Sequence, residues 1–176
     1  MSADPKVVVM GVAGSGKSTL AAGLALALAV PLIEGDEHHL PASQAKMRQG
    51  IALQDSDREP WLDRLGDTLL ACPGAGVLTC SALKLRYRER LRAHVPGLSF
   101  VFIEVDAAAA ARRVAARAGH LFPAALVASQ FEALEPPHGE AGVLTVPASL
   151  RPQAQLDTAL HWLAAQAPRR RDALSA

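Results

Sequence analysis

Residues 11–18 have the types and spacing of a phosphate-binding loop. The segment Gly11-Val12-Ala13-Gly14-Ser15-Gly16-Lys17-Ser18 fits the pattern G-x-x-x-x-G-K-[ST] and follows an apolar run at residues 7–10. Its glycines let successive backbone N–H groups turn toward phosphate oxygens, and a helix that begins here adds its positive dipole end. Lys17 would contact the β- and γ-phosphates, Ser18 would hold Mg²⁺, and Thr19 belongs to the same nucleotide contact. The alternative is a glycine-rich turn with an incidental lysine.

Two carboxylates follow the next apolar run at alternate positions. In Glu34-Gly35-Asp36 this spacing directs both side chains to one side of an extended segment. One could hold Mg²⁺ through water while the other accepts a hydroxyl proton, as phosphoryl transfer requires. The plainer interpretation is an acidic turn that leaves a strand. His39 follows closely, and a lone histidine of this kind is as often structural as functional.

Basic side chains occur where an acidic substrate could be held. Lys84 and Arg88 are one helical turn apart near the start of a predicted helix, although most of that basic run is expected to be a solvated face. Arg58 carries a planar guanidinium, whose N–H groups can donate two parallel hydrogen bonds to a carboxylate or a phosphate. Trp61 nearby is predicted to pack against the start of its helix rather than to stack on a sugar.

A later segment has the composition of a lid over a nucleotide. Arg113 and Arg117 are about one turn apart, and His120 follows in a glycine-containing loop. Such a lid would supply positive charge to the transferring phosphoryl group and exclude water. The alternative is a charged face of a surface helix.

Apolar runs alternate with helical patterns along the whole chain, which predicts an α/β fold. Three layers are expected, with a five-stranded parallel sheet and helices on both faces. In such a fold ligands bind at the carboxyl ends of the strands, where the polar residues above occur. The predicted strands cover residues 6–10, 31–33, 77–80, 98–105 and 143–146, and the predicted helices cover residues 17–29, 41–49, 56–71, 84–92, 107–118, 124–134 and 153–166.

Composition limits the partners of the protein. With 176 residues, a single domain spanning residues 1–176 is the simplest organisation, ending in a frayed tail at about 168–176. A net charge of +1 predicts neither nucleic-acid nor membrane binding. The two cysteines, Cys72 and Cys80, form no metal or redox motif, and the polar N-terminus is unlike a signal peptide. A cytoplasmic location is therefore expected.

Several segments together resemble the bacterial-type gluconokinases, small P-loop kinases that transfer the γ-phosphate of ATP to D-gluconate. The resemblance covers roughly residues 6–146. The phosphate loop is a generic motif. The more specific motifs are Asp-x-Asp-Arg-x-Pro-Trp-Leu and Cys-Ser-Ala-Leu-Lys. The matching segments are Gly11–Ser18, Gly35-Asp36 with His39, Lys46-Met47 with Gly50, residues 55–62, residues 80–84 with Tyr87-Arg88 and Leu91-Arg92, Arg113, Arg117 with Gly119-His120, and residues 129–137.

The resemblance implies a nucleoside-monophosphate-kinase-like fold with a short lid at about 117–124, a requirement for Mg·ATP, and a homodimer. It implies that Asp36 is the base for the gluconate 6-hydroxyl. Of the two carboxylates, Glu34 is then the one predicted to hold the metal together with Ser18. Lys17 and Arg117 would act on the phosphoryl group. The remaining residues implied around the sugar acid are His39, Arg58, Lys84, Arg88, His120 and Gln130, and Arg113 joins the nucleotide contacts.

Four positions depart from the family pattern. The chain has Ser43, Ala52 and Leu121 where the family usually has Asn, Pro and Phe, and Pro147 where an acidic residue is common after the last strand. Ser43 could retune a contact to a polyol, and Pro147 lies on the expected adenine side. None of the four removes a proposed phosphoryl-transfer group.

Two other functions fit part of the pattern. A related small-molecule kinase, such as one that acts on shikimate or another sugar acid, would share the two carboxylates but does not call for Asp-Arg-x-Pro-Trp-Leu. A nucleotide-dependent switch would be expected to read guanine with an Asn-Lys-x-Asp element, and the chain contains no asparagine. A kinase for D-gluconate is therefore the favoured function.

Overall fold

A computed structural model of the protein describes residues 5–116 and 126–166. The predicted lid at 117–124, with Arg117, His120 and Leu121, lies outside the described residues, as does the predicted tail at 168–176.

Five parallel strands form one sheet at the centre of the described chain. Their order is β2-β3-β1-β4-β5, so the β1 strand that leads into the phosphate loop is central and pairs with β3 and β4. The sheet is buried on both faces, which explains the unbroken apolar runs of its strands. The strands are β1 (Lys6–Met10), β2 (Leu32–Glu34), β3 (Gly76–Cys80), β4 (Ser99–Glu104) and β5 (Val143–Pro147).

Helices cover both faces of the sheet and make the predicted three layers. Alternate residues of β1 point to opposite faces. Val8 and Met10 pack with the helices α3 (Asp55–Ala71) and α4 (Leu85–His94). Val7 and Val9 pack on the other face with α1 (Lys17–Leu28) and α7 (Pro152–Gln166). The remaining described helices are α2 (Pro41–Arg48), α5 (Ala107–Ala115) and α6 (Val127–Ala133).

The predicted α/β class, the five strands and the helices on both faces are confirmed, while some boundaries differ. The predicted helix over residues 56–71 begins one residue earlier, at Asp55. Asp57 lies inside the first turn, where its carboxylate accepts a 2.9 Å hydrogen bond from the Gln54 backbone N–H. Asp57 also pairs with Lys46 of α2 at 2.7 Å, which ties the two helices together.

Candidate active site

The phosphate loop joins β1 to α1 in a conformation that only glycine adopts easily. Gly14 has φ +78°, and a Cβ there would lie 2.6 Å from the Ala110 carbonyl oxygen. Gly16, at φ +106°, is the residue that precedes the first turn of α1. Lys17 donates a 3.0 Å hydrogen bond to the carbonyl oxygen of Val12, across the loop. The left-handed conformations of Gly14 and Gly16 are of the kind that lets a phosphate loop turn around an anionic ligand.

A cleft of about 890 Å³ opens above the carboxyl ends of β1, β2 and β3. Phosphate-loop residues form one side, including Lys17 and Ser18, and Asp36 and Arg58 lie on another. Residues of three separate sequence regions therefore meet at one cleft, as expected for an open α/β sheet. Its other lining residues are Ala13, Gly14, Gly16, His39, Met47, Ala52, Leu53, Thr79, Ser81, Val114, Leu126, Ser129 and Gln130.

Ser18 and Glu34 meet at the floor of the cleft. The Ser18 hydroxyl donates to Glu34 Oε2 at 3.1 Å, and the Thr79 hydroxyl donates to the same oxygen at 2.7 Å. Thr79 Oγ1 also accepts the Gly35 backbone N–H at 3.0 Å. This oxygen-rich donor set fits Mg²⁺, which prefers one or two carboxylates together with hydroxyl, water and phosphate oxygens. Sequence reasoning missed Thr79, although a polar residue next to the carboxyl end of β3 was a usable signal.

Asp36 lies on a 3-10 turn, Gly35–His38, directly after β2. Its side chain is 71% exposed and lines the cleft. Asp36 lines the cleft, whereas Glu34 contacts Ser18 and Thr79, which line it. We expected an extended segment over residues 34–36, but the chain enters the 3-10 turn directly after Glu34, and this turn gives the two carboxylates different surroundings.

His39 is buried beneath Asp36 and stacks on Trp61, with ring centroids 4.2 Å apart. Trp61 is buried and donates from Nε1 to the Gly35 carbonyl oxygen at 2.8 Å. It therefore packs the start of its helix against the turn after β2, as predicted. Burial lowers the pKa of His39 from 6.5 to about 4, although Asp36 acts to raise it and Arg58 lowers it further. His39 is therefore a neutral imidazole near pH 7.

We expect His39→Gln to flatten the dependence of folding stability on pH between about 6.5 and 4. The folded pKa is about 4, so the unfolded chain binds the extra proton in this range and stability falls as the pH is lowered. The slope contributed by one such group is at most about 1.4 kcal/mol per pH unit. Urea unfolding at pH 7, 6 and 5 measures it, with the exposed His138→Gln as the control. An unchanged slope in His39→Gln would contradict this assignment.

Lys84 and Arg58 line a second cavity of about 810 Å³ that continues from the first. The two cavities share Ala52, Leu53, Arg58 and Ser129. Lys84 pairs there with Asp55 at 3.0 Å. Asp55 also accepts hydrogen bonds from the Tyr87 hydroxyl and pairs with Arg86. Sequence reasoning gave Asp55 and Tyr87 no role, although both belong to the quoted motifs.

Two further predicted site residues support the phosphate loop. Gln130 Oε1 accepts the backbone N–H of Ala13 at 2.6 Å, and its side chain lines the cleft. Arg113 donates to the carbonyl oxygens of Gly14 and Ser15, both at 3.3 Å, and to that of Ala148 at 3.1 Å. Arg113 does not line the cleft, so its direct contact with a nucleotide stays a prediction.

The expectation that Arg88 contacts a substrate needs correction. Arg88 is 1% exposed and lines neither cavity. Its guanidinium instead binds Glu140 and two backbone carbonyl oxygens. The basic run of α4 was expected to be mostly solvated, and the periodicity of charge alone does not show which arginine turns inward.

The fold and the phosphate loop define a P-loop kinase-like protein. Residues 7–137 match the family model described as an AAA domain. Gluconokinase of Gluconobacter oxydans (strain 621H) is 42% identical over 164 residues, which cover 91% of this chain and 92% of that protein. Gluconokinase of Arabidopsis thaliana is 36% identical over 90% of this chain and 92% of its own. The chain belongs to the gluconokinase family.

Solved structures agree with this assignment. A crystal structure of a gluconokinase from Sinorhizobium meliloti 1021 superposes with a TM-score of 0.86 at 40% identity, covering 95% of each chain. Shikimate kinase from Aquifex aeolicus is 15% identical with a TM-score of 0.57, and it shares the fold alone.

Proposed function

We propose that this protein transfers the γ-phosphate of ATP to the 6-hydroxyl of D-gluconate, giving 6-phospho-D-gluconate and ADP. The observation that carries the proposal is that one cleft holds Lys17 and Ser18 together with Asp36 and Arg58. Membership of the gluconokinase family supplies the identity of the acceptor.

The donor side of the site is the phosphate loop. Its inward-turned amides and the N-terminus of α1 suit the phosphates of ATP, and Lys17 offers a positive charge to the β- and γ-phosphate oxygens. Gln130 holds the Ala13 amide, and Arg113 holds the Gly14 and Ser15 carbonyl groups, so the loop is fixed before a ligand binds. Such preorganisation lets the amides stabilise developing charge without rearrangement.

On the acceptor side, Asp36 accepts the proton of the 6-hydroxyl as that oxygen bonds to the γ-phosphorus. The bond from the γ-phosphorus to the bridging oxygen breaks at the same time, and ADP leaves with the bonding electrons. Arg58 and Lys84, on the continuous second cavity, suit the carboxylate of the sugar acid, while neutral His39 suits a hydroxyl. An open-chain acid of six carbons would extend from Asp36 toward Lys84.

Ser18 and Glu34 would hold Mg²⁺, consistent with their shared hydrogen bond and with Thr79 beside them. The ion supplies Lewis-acid neutralisation of the phosphate charge when it is bound. Residues 5–116 and 126–166 contain no cluster of three His, Cys, Asp or Glu side chains able to hold a metal. A site made of one carboxylate, one hydroxyl and phosphate oxygens is the ordinary arrangement for Mg²⁺.

We expect Glu34→Gln to raise the Mg²⁺ concentration for half-maximal activity by roughly 10-fold or more, because loss of even an outer partner of a metal typically lowers its affinity by that amount. Titration of Mg²⁺ at saturating ATP and gluconate measures the shift. Glu37→Gln, an exposed carboxylate on the adjoining turn, is the control. An unshifted titration for Glu34→Gln would remove Glu34 from the metal site.

A coupled ADP-release assay tests the acceptor. It compares gluconate, other sugar acids, shikimate and nucleoside monophosphates against the ATPase rate in water. We expect the highest kcat/KM with gluconate, whereas turnover of gluconate no faster than the water rate would remove this acceptor. No specific contact favours shikimate, so it serves as the comparison acceptor that shares the fold.

Other predictions from the sequence complete the proposal. The protein would act as one domain over residues 1–176, with the lid at 117–124 contributing Arg117 and His120 to the closed site. A homodimer and a cytoplasmic location also stay predictions. Among the described residues, no helix is both long and apolar enough to cross a bilayer.

A further inference from the structure

Arg88 is a fully buried cation near the candidate site that the proposed mechanism does not use. All three of its guanidinium nitrogens are engaged. Nε and Nη2 bind Glu140 at 2.8 to 3.1 Å, while Nη1 donates to the carbonyl oxygens of Ala82 at 3.0 Å and Leu83 at 3.2 Å. A buried charge persists in proteins when it is paired and hydrogen-bonded in this way.

Glu140 receives a second arginine on its other side. Arg92 donates from Nη1 to Glu140 Oε1 at 2.6 Å and lies over the ring of Phe100 at 4.8 Å. Burial acts to raise the pKa of Glu140, but the hydrogen bonds from Arg88 and Arg92 hold it below its usual value. Glu140 is therefore an ionised anchor that joins the segment before β5 to α4.

The carbonyl groups that Arg88 holds belong to a strained loop between β3 and α4. Ala82 has φ +45°, in the left-handed region that a residue with a Cβ adopts only at a cost. The same loop carries Ser81, which lines the first cleft, and Lys84, which lines the second cavity. The loop also touches the phosphate loop, because the Gly11 N–H donates to the Ser81 carbonyl oxygen at 3.3 Å.

We propose that Arg88 and Glu140 form a buried brace that positions the loop of residues 81–84, so that both act as positioning residues for binding of the acceptor. The inference rests on the proposed function, since Lys84 and Ser81 are the groups whose placement the brace controls. Arg88 fixes the backbone at Ala82 and Leu83, and Glu140 fixes the guanidinium of Arg88. Neither side chain touches the substrate.

Because the brace acts on the acceptor side, its loss has a specific kinetic signature. In Glu140→Gln the KM for gluconate is expected to rise by about 10-fold, equivalent to one misplaced polar contact, while the KM for ATP changes less than about twofold. Glu140→Asp keeps the charge and recovers part of the wild-type KM. A variant that is merely less stable would contain less folded enzyme. Its apparent kcat would fall, while the KM values for gluconate and for ATP would stay unchanged.

Two control variants separate the brace from general packing. Arg90, on the same helix as Arg88, binds Asp63 of α3 at 2.6 and 2.8 Å and makes no contact with the loop. Asp63→Asn therefore removes a more exposed ion pair of the same helix and leaves the KM for gluconate unchanged. Arg92→Gln removes the other partner of Glu140 but none of the loop contacts, so its KM effect is smaller than that of Glu140→Gln. An equal KM increase in Asp63→Asn would overturn the proposal.

Amide hydrogen exchange tests the brace without any acceptor. The Gly11 N–H reports on the Ser81 carbonyl group, and the Glu135 N–H, which donates to the Leu83 carbonyl oxygen at 2.8 Å, reports on Leu83. Both amides exchange at least several-fold faster in Glu140→Gln and at the wild-type rate in Asp63→Asn. Unchanged exchange at both positions in folded Glu140→Gln would overturn the brace, whereas failure of wild-type enzyme to turn over gluconate would overturn the proposed function alone.

Discussion

Asp36→Asn is expected to lower kcat by about 10²- to 10⁴-fold, the range that a positioned general base contributes. The amide keeps the size of the side chain but cannot take the proton of the acceptor hydroxyl. Asp36 is exposed and lies on the turn after β2, outside the phosphate loop. The Kd for ATP should therefore stay within about twofold of wild type.

Steady-state rates at saturating gluconate, together with calorimetric titration of ATP, measure the two effects. Glu37→Gln is the matched control, because Glu37 is an exposed carboxylate on the same turn that does not line the cleft. A kcat for Asp36→Asn within about threefold of wild type would show that another group takes the proton.

Gly35→Ala is expected to destabilise the fold and nearly abolish activity. A Cβ on Gly35 would lie 2.1 Å from the Thr79 carbonyl oxygen, a backbone atom of the neighbouring strand β3. Gly35 cannot retreat easily, because its N–H is held by the Thr79 hydroxyl and its carbonyl oxygen by Trp61. Overpacking at such a site costs about 1–3 kcal/mol. Relief of the clash would also displace Glu34 and Asp36, which flank the glycine.

Urea unfolding and kcat measure this prediction together. Gly23→Ala is the control, because Gly23 lies within α1 and its added Cβ would meet only the flexible end of Leu156, at 3.2 Å. We expect that control to keep wild-type activity. Wild-type stability and activity in Gly35→Ala would contradict the close approach of β2 and β3 on which the site depends.

Local sequence patterns were enough to predict the strands and the phosphate loop that form the candidate site. The run Val7-Val8-Val9-Met10 is apolar on both faces because both faces of β1 are covered, and the phosphate loop follows it at a fixed spacing. Polar residues at the end of β2 could be predicted to lie near the phosphate loop, because the carboxyl ends of parallel strands meet at one edge of the sheet. Their extended geometry could not, because residues 35–38 form a 3-10 turn. Trp61 could be predicted to pack because it lies in the first two turns of a helix, beside charged residues.

Contacts between distant segments could not be predicted in the same way. Arg88 and Glu140 are 52 residues apart, and no periodic pattern links a helix to a turn. One signal was present, because Arg88 precedes the buried Leu91 by three residues, which places the two on the same face of α4. Glu140 carries no such signal. The partner of an inward-facing arginine is set by how the chain folds back, which local spacing does not encode.

The first residue of α3 also could not be predicted from the sequence. Asp57 has the residue type of a helix cap, but Gln54 occupies that position and Asp57 accepts its backbone N–H. Both residues satisfy the same free backbone groups at a helix end, so residue type alone does not fix the boundary.

Identification of the phosphorylated product tests the central claim most directly. Wild-type protein is incubated with Mg·ATP and D-gluconate labelled with ¹³C at carbon 6, and the products are examined by ³¹P and ¹³C NMR. The account predicts a single new phosphate monoester coupled to carbon 6, formed with one ADP per ester, and strongly slowed in Asp36→Asn. Release of inorganic phosphate without an ester, or an ester at another carbon, would contradict it.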